Sequence, residues 1–293
     1  MLAYTKGVLP TGQARVARDY YVNSIIEQEY AARWDQLSAW NYDDDGGFGG
    51  TDVFFPQGYD QLVNYVGRGL DVRTGNTVTR VQYGAGGVTV TTSAGSFTAA
   101  RAIVTLPLGV LQSGGVIFDP PLPADKQAAI AGLGMGLLNK CYLRFPVAFW
   151  PRKIDWIECL TLNKGVWAEW VSFLHGPNLP IRVGFNAGHP AHAIEALSDA
   201  DTVAGAMGAL RDMFGSSIPD PTGYQITRWA QDPYALGSYS FEPVGASAAT
   251  RVTLAKPAGK SLFFAGEATH AQYSATVHGA YLSGVRAAAQ AAA

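Results

Sequence analysis

An apolar run near the C-terminus places the strongest constraint on the fold. The segment Ser261–Ala265 reads SLFFA, and Gly266 and Glu267 follow it directly. A short apolar run bounded by a turn predicts a buried strand, and small and β-branched residues from about Ala275 predict the start of a helix. Free N–H groups at such a helix start favour an anion or an electron-rich ring edge. Glu267, at the carboxyl end of the strand, is a candidate for binding ligand hydroxyls, unless it is simply solvated.

The rest of the chain mixes strand and helix patterns. Short alternating runs between Leu70 and Leu106 predict strands, namely DVRTG, TVTRVQY, GVTVTTS, SFTAA and RAIVTLP. Further strands are predicted at 138–145, 167–174 and 181–185, and helices at 13–40, 123–133 and 202–214. Ser198 or Asp199 is expected to cap the helix at 202–214, and Gly215 to end it. The sequence therefore predicts a mixed α/β fold.

Composition narrows the functional classes. The chain has 293 residues, of which 48% are hydrophobic and 15% charged, and its formal net charge is -2. A near-neutral chain lacks the basic character expected of a nucleic-acid binder. No apolar run reaches the length of a membrane span, and no signal peptide is evident at Met1, so we expect a cytoplasmic protein. Two cysteines are too few for a disulfide framework or a zinc site.

Nucleotide and metal motifs give no positive prediction. The chain contains neither G-x-G-x-x-G nor G-x-x-x-x-G-K-[ST]. The acidic loop from Asn41 to Asp52 matches a calcium loop at several positions, but it ends in Asp and no helix follows directly. His189 and His192 flank Pro190, which disfavours a two-histidine metal pair on a helix. We therefore expect no metal site.

Five segments, taken in order, resemble the flavin-containing amine oxidases, the group of polyamine oxidases and lysine-specific histone demethylases. They lie at 69–81, 104–123, 134–150, 228–241 and 263–288. The resemblance implies a two-domain α/β architecture with FAD as cofactor. Residues 46–112 and 251–293 would form the FAD-binding portion, and residues 2–45 and 113–250 the substrate-binding portion.

The resemblance also implies cofactor contacts. Val78 would offer its backbone to the adenine, and Gly266 and Glu267 would lie at the cofactor, with the Glu267 carboxylate on ribityl or ribose hydroxyls. The N–H groups of Thr276 and Val277 would face the N1/O2 edge of the flavin and stabilise negative charge on the reduced ring. Trp229 would pack near the isoalloxazine.

Lys140 is the implied catalytic residue. It is a single cation among apolar neighbours on a predicted strand, where burial of an ammonium costs several kcal/mol. In the resembled family this lysine holds a water against flavin N5 and assists the reaction of reduced flavin with dioxygen. A strand-end lysine that reaches solvent is the alternative. For the substrate, the resemblance places Tyr239 and Thr276 beside the channel, with Trp170 lining the same pocket.

The implied reaction is hydride transfer from the α-carbon of a neutral amine to flavin N5, followed by reoxidation with O2 to give H2O2. An L-amino-acid oxidase is one alternative, which would need a buried arginine such as Arg144 or Arg182 for the substrate carboxylate. A non-catalytic binding or structural module is the other. A small-molecule amine and O2 are thus the expected partners.

The sequence departs from the family at its start. The family carries an N-terminal βαβ unit with a glycine fingerprint, and the chain shows none. A fragment of a longer protein, one subunit of a split oxidase whose partner supplies the glycine motif, and a degenerate relic are the three explanations. We expect a fragment, which leaves the activity of this chain alone in doubt.

Overall fold

The computed structural model describes residues 12–43, 46–50, 53, 55–160 and 164–293. The first ten residues of the predicted substrate portion, together with Asp45 and Asp52 of the acidic loop, lie outside these ranges. Within them, no helix is long and apolar enough to cross a membrane. The described residues also contain no group of three or more His, Cys, Asp or Glu side chains placed to hold a metal ion.

The N-terminal helix is shorter than predicted. Helix α1 (Gln13–Tyr21) continues as a π-helical segment (Val22–Glu27) and a single turn, α2 (Gln28–Tyr30). Ala31 follows in the left-handed region, with a φ of 53°. A left-handed backbone cannot continue a right-handed helix, so the helix ends at Ala31. Helix α3 (Asp60–Val66), which the sequence pattern did not predict, comes next.

A four-stranded sheet forms from the alternating runs. Strands β1 (Val78–Gly84), β2 (Gly87–Thr92) and β3 (Gly95–Ala99) are antiparallel neighbours, and β5 (Ile117–Asp119) adds parallel to β1. Strand β4 (Ala102–Val104) leaves this sheet and pairs in parallel with β13 (Leu262–Phe264). The prediction of a strand at 71–75 is wrong: Asp71 and Arg73 form an exposed ion pair beside a turn, and Val72 is 70% exposed. Without a partner strand or a buried face, the alternating pattern has nothing to pair against.

A second sheet has five antiparallel strands. Its order is β11 (Gly223–Ile226), β7 (Leu138–Arg144), β10 (Ile181–Ala187), β9 (Glu169–Ser172) and β8 (Trp156–Glu158). Helix α7 (Asp199–Phe214) covers one face and starts three residues before the predicted Thr202. Its N-cap is Ser198, one of the two residues expected, which accepts the N–H of Asp201 at 3.1 Å. Buried residues of β7, β9 and α7 form one core there, including Leu143, Trp170 and Leu210.

The remaining elements connect the sheets. They are α4 (Leu108–Ser113), α5 (Ala124–Gly132), β6 (Gly134–Met135), α6 (Gly188–Glu195), β12 (Ser240–Phe241), α8 (Ala248–Ala255), a 3-10 turn (Glu267–Thr269) and α9 (Val277–Ala292). Strand β12 pairs antiparallel with β6. Helix α9 starts two residues after the predicted Ala275, at an N-cap formed by Thr276.

Two large hydrophobic cores form, one beside each of the two larger sheets. The first core joins β1, β2, β4 and β13 with α5 and α8, through residues such as Val81, Leu254 and Phe264. Residues 124–132 were assigned to the substrate portion, yet Ala129 and Ile130 pack in this first core. The two-portion division remains a prediction; β5 and α5, which it assigns to the substrate portion, both pack with residues of the FAD-binding portion.

Candidate active site

One cavity brings together five of the predicted site residues. It has a volume of about 420 Å³ and is lined in part by residues of β6, β7 and β13. Among its lining residues are Lys140, Trp229, Tyr239, Gly266 and Glu267. A groove of about 490 Å³ lies elsewhere, along Trp34 and Trp40, and contains none of the predicted site residues. The smaller cavity is therefore the candidate active site.

Lys140 enters this cavity from β7, an interior strand of the five-stranded sheet. Its backbone is fixed on both sides, because its N–H donates to Thr227 Oγ1 (2.8 Å) and its carbonyl accepts the Thr227 N–H (3.0 Å). The Nζ atom lies 5.6 Å from the centroid of the Phe185 ring, the residue directly opposite on β10. Burial lowers the pKa of Lys140. The neighbouring Cys141 points the other way into the core, as the alternation of the strand predicted.

Glu267 is held by three donors of the protein itself. Its Oε1 accepts the Ser240 N–H (3.1 Å), and its Oε2 accepts the Ser240 hydroxyl (2.7 Å) and the Ala275 N–H (2.7 Å). A carboxylate has about four acceptor positions, so one more remains for a ligand hydroxyl. Its neighbour Gly266 has a φ of 124°, and a Cβ added there would meet no atom within 4 Å. The backbone at Gly266 thus faces open space, where a ligand can approach closely.

The start of α9 lies beside the cavity. Thr276 Oγ1 accepts the Gly279 N–H (3.0 Å) and donates to the Tyr273 carbonyl (2.8 Å), which fixes the N-cap. The first N–H groups of any helix have no acceptor within the helix, so that of Val277 is a donor which a bound group can use. Helix α9 lines the cavity itself through Ala280, whereas Thr276 and Val277 are not among the lining residues.

Two aromatic side chains stand at the cavity wall. Trp229 is 40% exposed, and its backbone N–H donates to Asn139 Oδ1 (3.2 Å). Tyr239 is anchored by its hydroxyl, which lies 3.0 Å from the carbonyl oxygens of both Gln28 and Glu29. Burial, with a smaller contribution from Glu29, raises the pKa of Tyr239, so the phenol stays protonated.

Two predicted residues lie away from the cavity. Trp170 is fully buried, and its Nε1 donates to the Trp167 carbonyl (2.9 Å). It is the partner of Gly184 in the sheet, one position out of step with the Phe185–Lys140 pair, so it faces the core beneath α7. The expected substrate contact of Trp170 is therefore corrected to a core role. Val78 begins β1 and packs against the first core, outside the cavity lining.

A row of side chains extends from Lys140 across the same sheet face. Phe185, Glu169 and Glu158 are successive partners on β10, β9 and β8. Ser24 donates to Glu169 Oε1, and Glu169 is only 4% exposed. Burial raises the pKa of Glu169 to about 7. Sequence analysis did not identify this carboxyl, because its alignment with Lys140 depends on strand register.

Sequence analysis also missed two buried polar networks. One joins Glu267 through Ser240 to Arg251 and Glu242. The other joins Asn139 to Glu195 and the backbone that carries Trp229. In the sequence, the indication of the second network was the polar Asn139 beside Lys140 within an otherwise apolar strand.

The donor set fits the ring end of a flavin. The cavity volume lies within the range of small-molecule sites. Its walls combine apolar and aromatic groups with one lysine, and the N-terminus of α9 and the open backbone at Gly266 lie at its edge. The sequence contains no glycine-rich fingerprint, so this fit covers the ring end of the cofactor and not its phosphates.

Curated relatives of this chain include a lysine-specific histone demethylase homologue and a polyamine oxidase. "Lysine-specific histone demethylase 1 homolog 1" of Arabidopsis thaliana is 38% identical over 97% of this chain, which covers 34% of that relative. "Polyamine oxidase 4" of Oryza sativa subsp. japonica is 36% identical over 90% of this chain, which covers 54% of that relative. The chain thus spans about a third to a half of the length of these relatives.

Solved structures share the fold. Putrescine oxidase bound to putrescine superimposes with a TM-score of 0.69 and 22% identity, over 80% of this chain and 52% of that one. The A394C mutant of putrescine oxidase gives a TM-score of 0.70. The family model for flavin containing amine oxidoreductase matches residues 16–292. The chain therefore belongs to the flavin-containing amine oxidoreductase family, a membership that implies FAD as its cofactor.

Proposed function

We propose that this chain forms the substrate-binding and flavin-facing part of an FAD-dependent amine oxidase. The observation that carries the proposal is the convergence of Lys140, Trp229, Tyr239 and Glu267 on one cavity. These residues come from separate strands and turns, so their meeting is a property of the fold rather than of one local motif. Family membership supplies the cofactor, and the cavity supplies the groups that would act around it.

FAD, when bound, would accept hydride from the α-carbon of the amine and return to its oxidised state by reaction with dioxygen, yielding hydrogen peroxide. The protein's part is binding, orientation and electrostatics. Apolar and aromatic walls lower the pKa of an amine, which favours the neutral form that can donate hydride. Trp229 and Tyr239 are placed to form such walls, and the tyrosine hydroxyl is already engaged by two carbonyls.

Lys140 is the proposed residue for holding a water at the reacting face of the ring. It is anchored through its backbone, while its ammonium projects from the strand toward the cavity and the Phe185 ring. The lowered pKa of Lys140 brings its neutral form closer to working pH, which suits a group that exchanges protons with a water. A cation at this position also attracts the negative charge that develops on reduction.

The arginines do not favour an amino-acid oxidase. Arg182 is fully buried on the opposite face of the sheet, where its guanidinium lies 4.7 Å from the centroid of the Trp150 ring. Arg144 lies at the far end of β7, and its carbonyl accepts the Thr222 N–H. Neither side chain lines the candidate cavity, so the structure offers no partner there for a substrate carboxylate from these two residues.

The test is the visible absorption spectrum of the purified chain with added FAD, followed by an amine panel with peroxide detection. Protein-bound flavin bands that bleach with amines in the absence of oxygen are the expected result. Bleaching by amino acids and not by amines would indicate the amino-acid oxidase instead. A chain that takes up no FAD would reject the proposal for this chain alone and favour a non-catalytic module.

A further inference from the structure

We propose that Arg251 is a positioning residue that acts through Ser240 to fix Glu267, and with it the first turn of α9, at the edge of the cavity. The part of this inference that concerns flavin rests on the proposed function above. The part that concerns the protein's own geometry does not. Both parts follow from one chain of hydrogen bonds that runs from the first core to the cavity.

Arg251 is the buried residue at which this series of hydrogen bonds begins. It belongs to α8 and is fully buried, as is most of its partner Glu242, whose side chain is 8% exposed. The pair is bidentate: Nε donates to Glu242 Oε1, and Nη2 donates to Oε2 at 2.9 Å. A buried guanidinium needs such pairing because desolvation of a charge is costly. Glu242 thereby fixes the plane of the guanidinium.

The third nitrogen of Arg251 points toward the cavity. Nη1 donates to Ser240 Oγ at 2.6 Å and lies 3.4 Å from the Ala268 carbonyl. Because the Ser240 hydroxyl accepts from Arg251, its own proton is directed at Glu267 Oε2, 2.7 Å away. The Ser240 N–H holds the other carboxylate oxygen. Arg251 thus orients the hydroxyl, and the hydroxyl and N–H of Ser240 orient the carboxylate.

Glu267 in turn fixes the backbone just before α9. Its Oε2 accepts the N–H of Ala275, whose φ is 58°. Such a conformation costs a non-glycine residue about 1 kcal/mol or more, so it persists only where the surroundings hold it. Ala275 directly precedes the N-cap Thr276. The position of the first N–H groups of α9 therefore depends on Glu267, and through Ser240 on Arg251.

A purely structural Arg251–Glu242 ion pair would be just as buried as one that also positions Glu267. Substitutions of Ser240 distinguish the structural role of Arg251 from its positioning role. Ser240→Ala removes the hydroxyl between Arg251 and Glu267 but leaves the Arg251–Glu242 pair intact. Ser261→Ala is the matched control, because Ser261 is also a buried serine of the first core region, and its hydroxyl donates instead to the Gly84 carbonyl (3.0 Å). Ser240→Thr keeps the hydroxyl and tests rescue.

The first measurement is amide hydrogen exchange of the chain without FAD. We expect Ser240→Ala to accelerate exchange of the Ala275 and Gly279 amides by roughly tenfold, the effect of losing one hydrogen bond to a charged group. Exchange near Ala287, in the second half of α9, should not change. Ser261→Ala should leave the Ala275 amide at the wild-type rate, and Ser240→Thr should restore it.

The second measurement is the dissociation constant of FAD, followed by flavin fluorescence. We expect Ser240→Ala to weaken binding by roughly tenfold, while Ser261→Ala does not. Unchanged exchange at Ala275 in Ser240→Ala, or equal acceleration in Ser261→Ala, would overturn the proposal. Wild-type FAD affinity in Ser240→Ala would overturn its link to the cavity. Accelerated exchange in a chain that takes up no FAD supports the positioning role and counts against the proposed function.

Discussion

Asn139 and Glu195 join their side chains directly behind the cavity wall, with Asn139 Nδ2 donating to Glu195 Oε2. Both residues are 4% exposed. Asn139 Oδ1 accepts the backbone N–H of Trp229, and Glu195 Oε1 accepts the backbone N–H of Gln231 at 2.8 Å. The pair therefore ties the loop that carries Trp229 to the strand that carries Lys140. The distance between these two cavity groups is set by residues that do not line the cavity.

Glu195→Ala should destabilise the chain by about 3 kcal/mol, because it leaves the buried side-chain amide of Asn139 without its acceptor and also removes the acceptor of the Gln231 N–H. Urea unfolding followed by fluorescence measures the loss. Asp220→Ala is the control: it also removes a carboxylate that accepts a hydrogen bond, here from Arg211 Nη2 at 2.7 Å, but the Asp220 side chain is 82% exposed. That variant should change the free energy of unfolding by less than about 1 kcal/mol. Equal effects of the two variants would contradict the structural role of the pair.

Lys140→Met should leave the fold intact, since an apolar side chain replaces an ammonium whose burial lowers its pKa. In a chain that binds FAD, reoxidation of the reduced cofactor by dioxygen should slow by about a hundredfold, the effect of losing one preorganised charge. Stopped-flow absorbance measures this rate. Lys260→Met removes an exposed lysine and should reoxidise at the wild-type rate. Reoxidation of Lys140→Met at that same rate would remove the lysine from the mechanism.

Val277→Pro tests the N-terminal donors of α9. Val277 is the first residue of the helix, where proline is tolerated, and Thr276 before it already has the extended backbone that proline requires. The substitution removes one N–H without breaking the helix. FAD affinity should fall by roughly tenfold, whereas Val277→Ala, which keeps the N–H, should bind as the wild type does. Loss of binding in both variants would instead indicate a side-chain contact.

Replacing each of the two tryptophans predicted at the site should affect a different property, stability for Trp170 and flavin binding for Trp229. Trp170→Ala should cost about 3–5 kcal/mol of stability, because the side chain is fully buried in the core beneath α7. Trp229→Ala should cost much less, since Trp229 is 40% exposed, but should weaken flavin binding. Urea midpoints and FAD titrations separate the two effects. A large loss of stability from Trp229→Ala would place it with the core residues.

Glu169 makes stability depend on pH in a defined direction. Burial raises its pKa from the ordinary value of 4.5 to about 7, so the folded chain binds this proton more tightly than the unfolded chain. Between these two values the folded state holds the extra proton, and its stability falls as pH rises from about 4.5 to about 7. Glu169→Gln cannot ionise. Its unfolding free energy relative to the wild type should therefore increase between pH 5 and pH 8, and a difference independent of pH would refute the assignment.

Elements with strong local signals could be predicted from sequence. Helix α7 combines periodic apolar residues with a serine N-cap and a terminal glycine, and β13 is an uninterrupted apolar strand. Both formed where expected. The strand predicted at 71–75 did not, because local alternation cannot show whether a partner strand exists. The mixed α/β fold was thus predictable, while several short helices such as α4 and α8 were not.

The residues around the cavity were predictable only in part. Lys140, Trp229, Tyr239 and Glu267 came from the resemblance, and the structure brings them together. Trp170 was misplaced because the face of β9 that it occupies depends on register with β10, which single-sequence patterns do not give. Arg251 and Glu242 join separate elements through buried side chains, and nothing in their local sequence announces the pairing.

The alternation of β7 limits how this site can change. Lys140 and Leu138 face the cavity, while Asn139, Cys141 and Leu143 are buried on the other side. A slip of one residue would place the lysine in the apolar core and the cysteine in the cavity. Changes on β7 therefore risk the core, whereas the loop residues of the lining, such as Trp229 and Tyr239, can be replaced without altering the strand register. An engineer seeking new specificity should vary the segment around Trp229 and Tyr239 first, and leave β7 untouched.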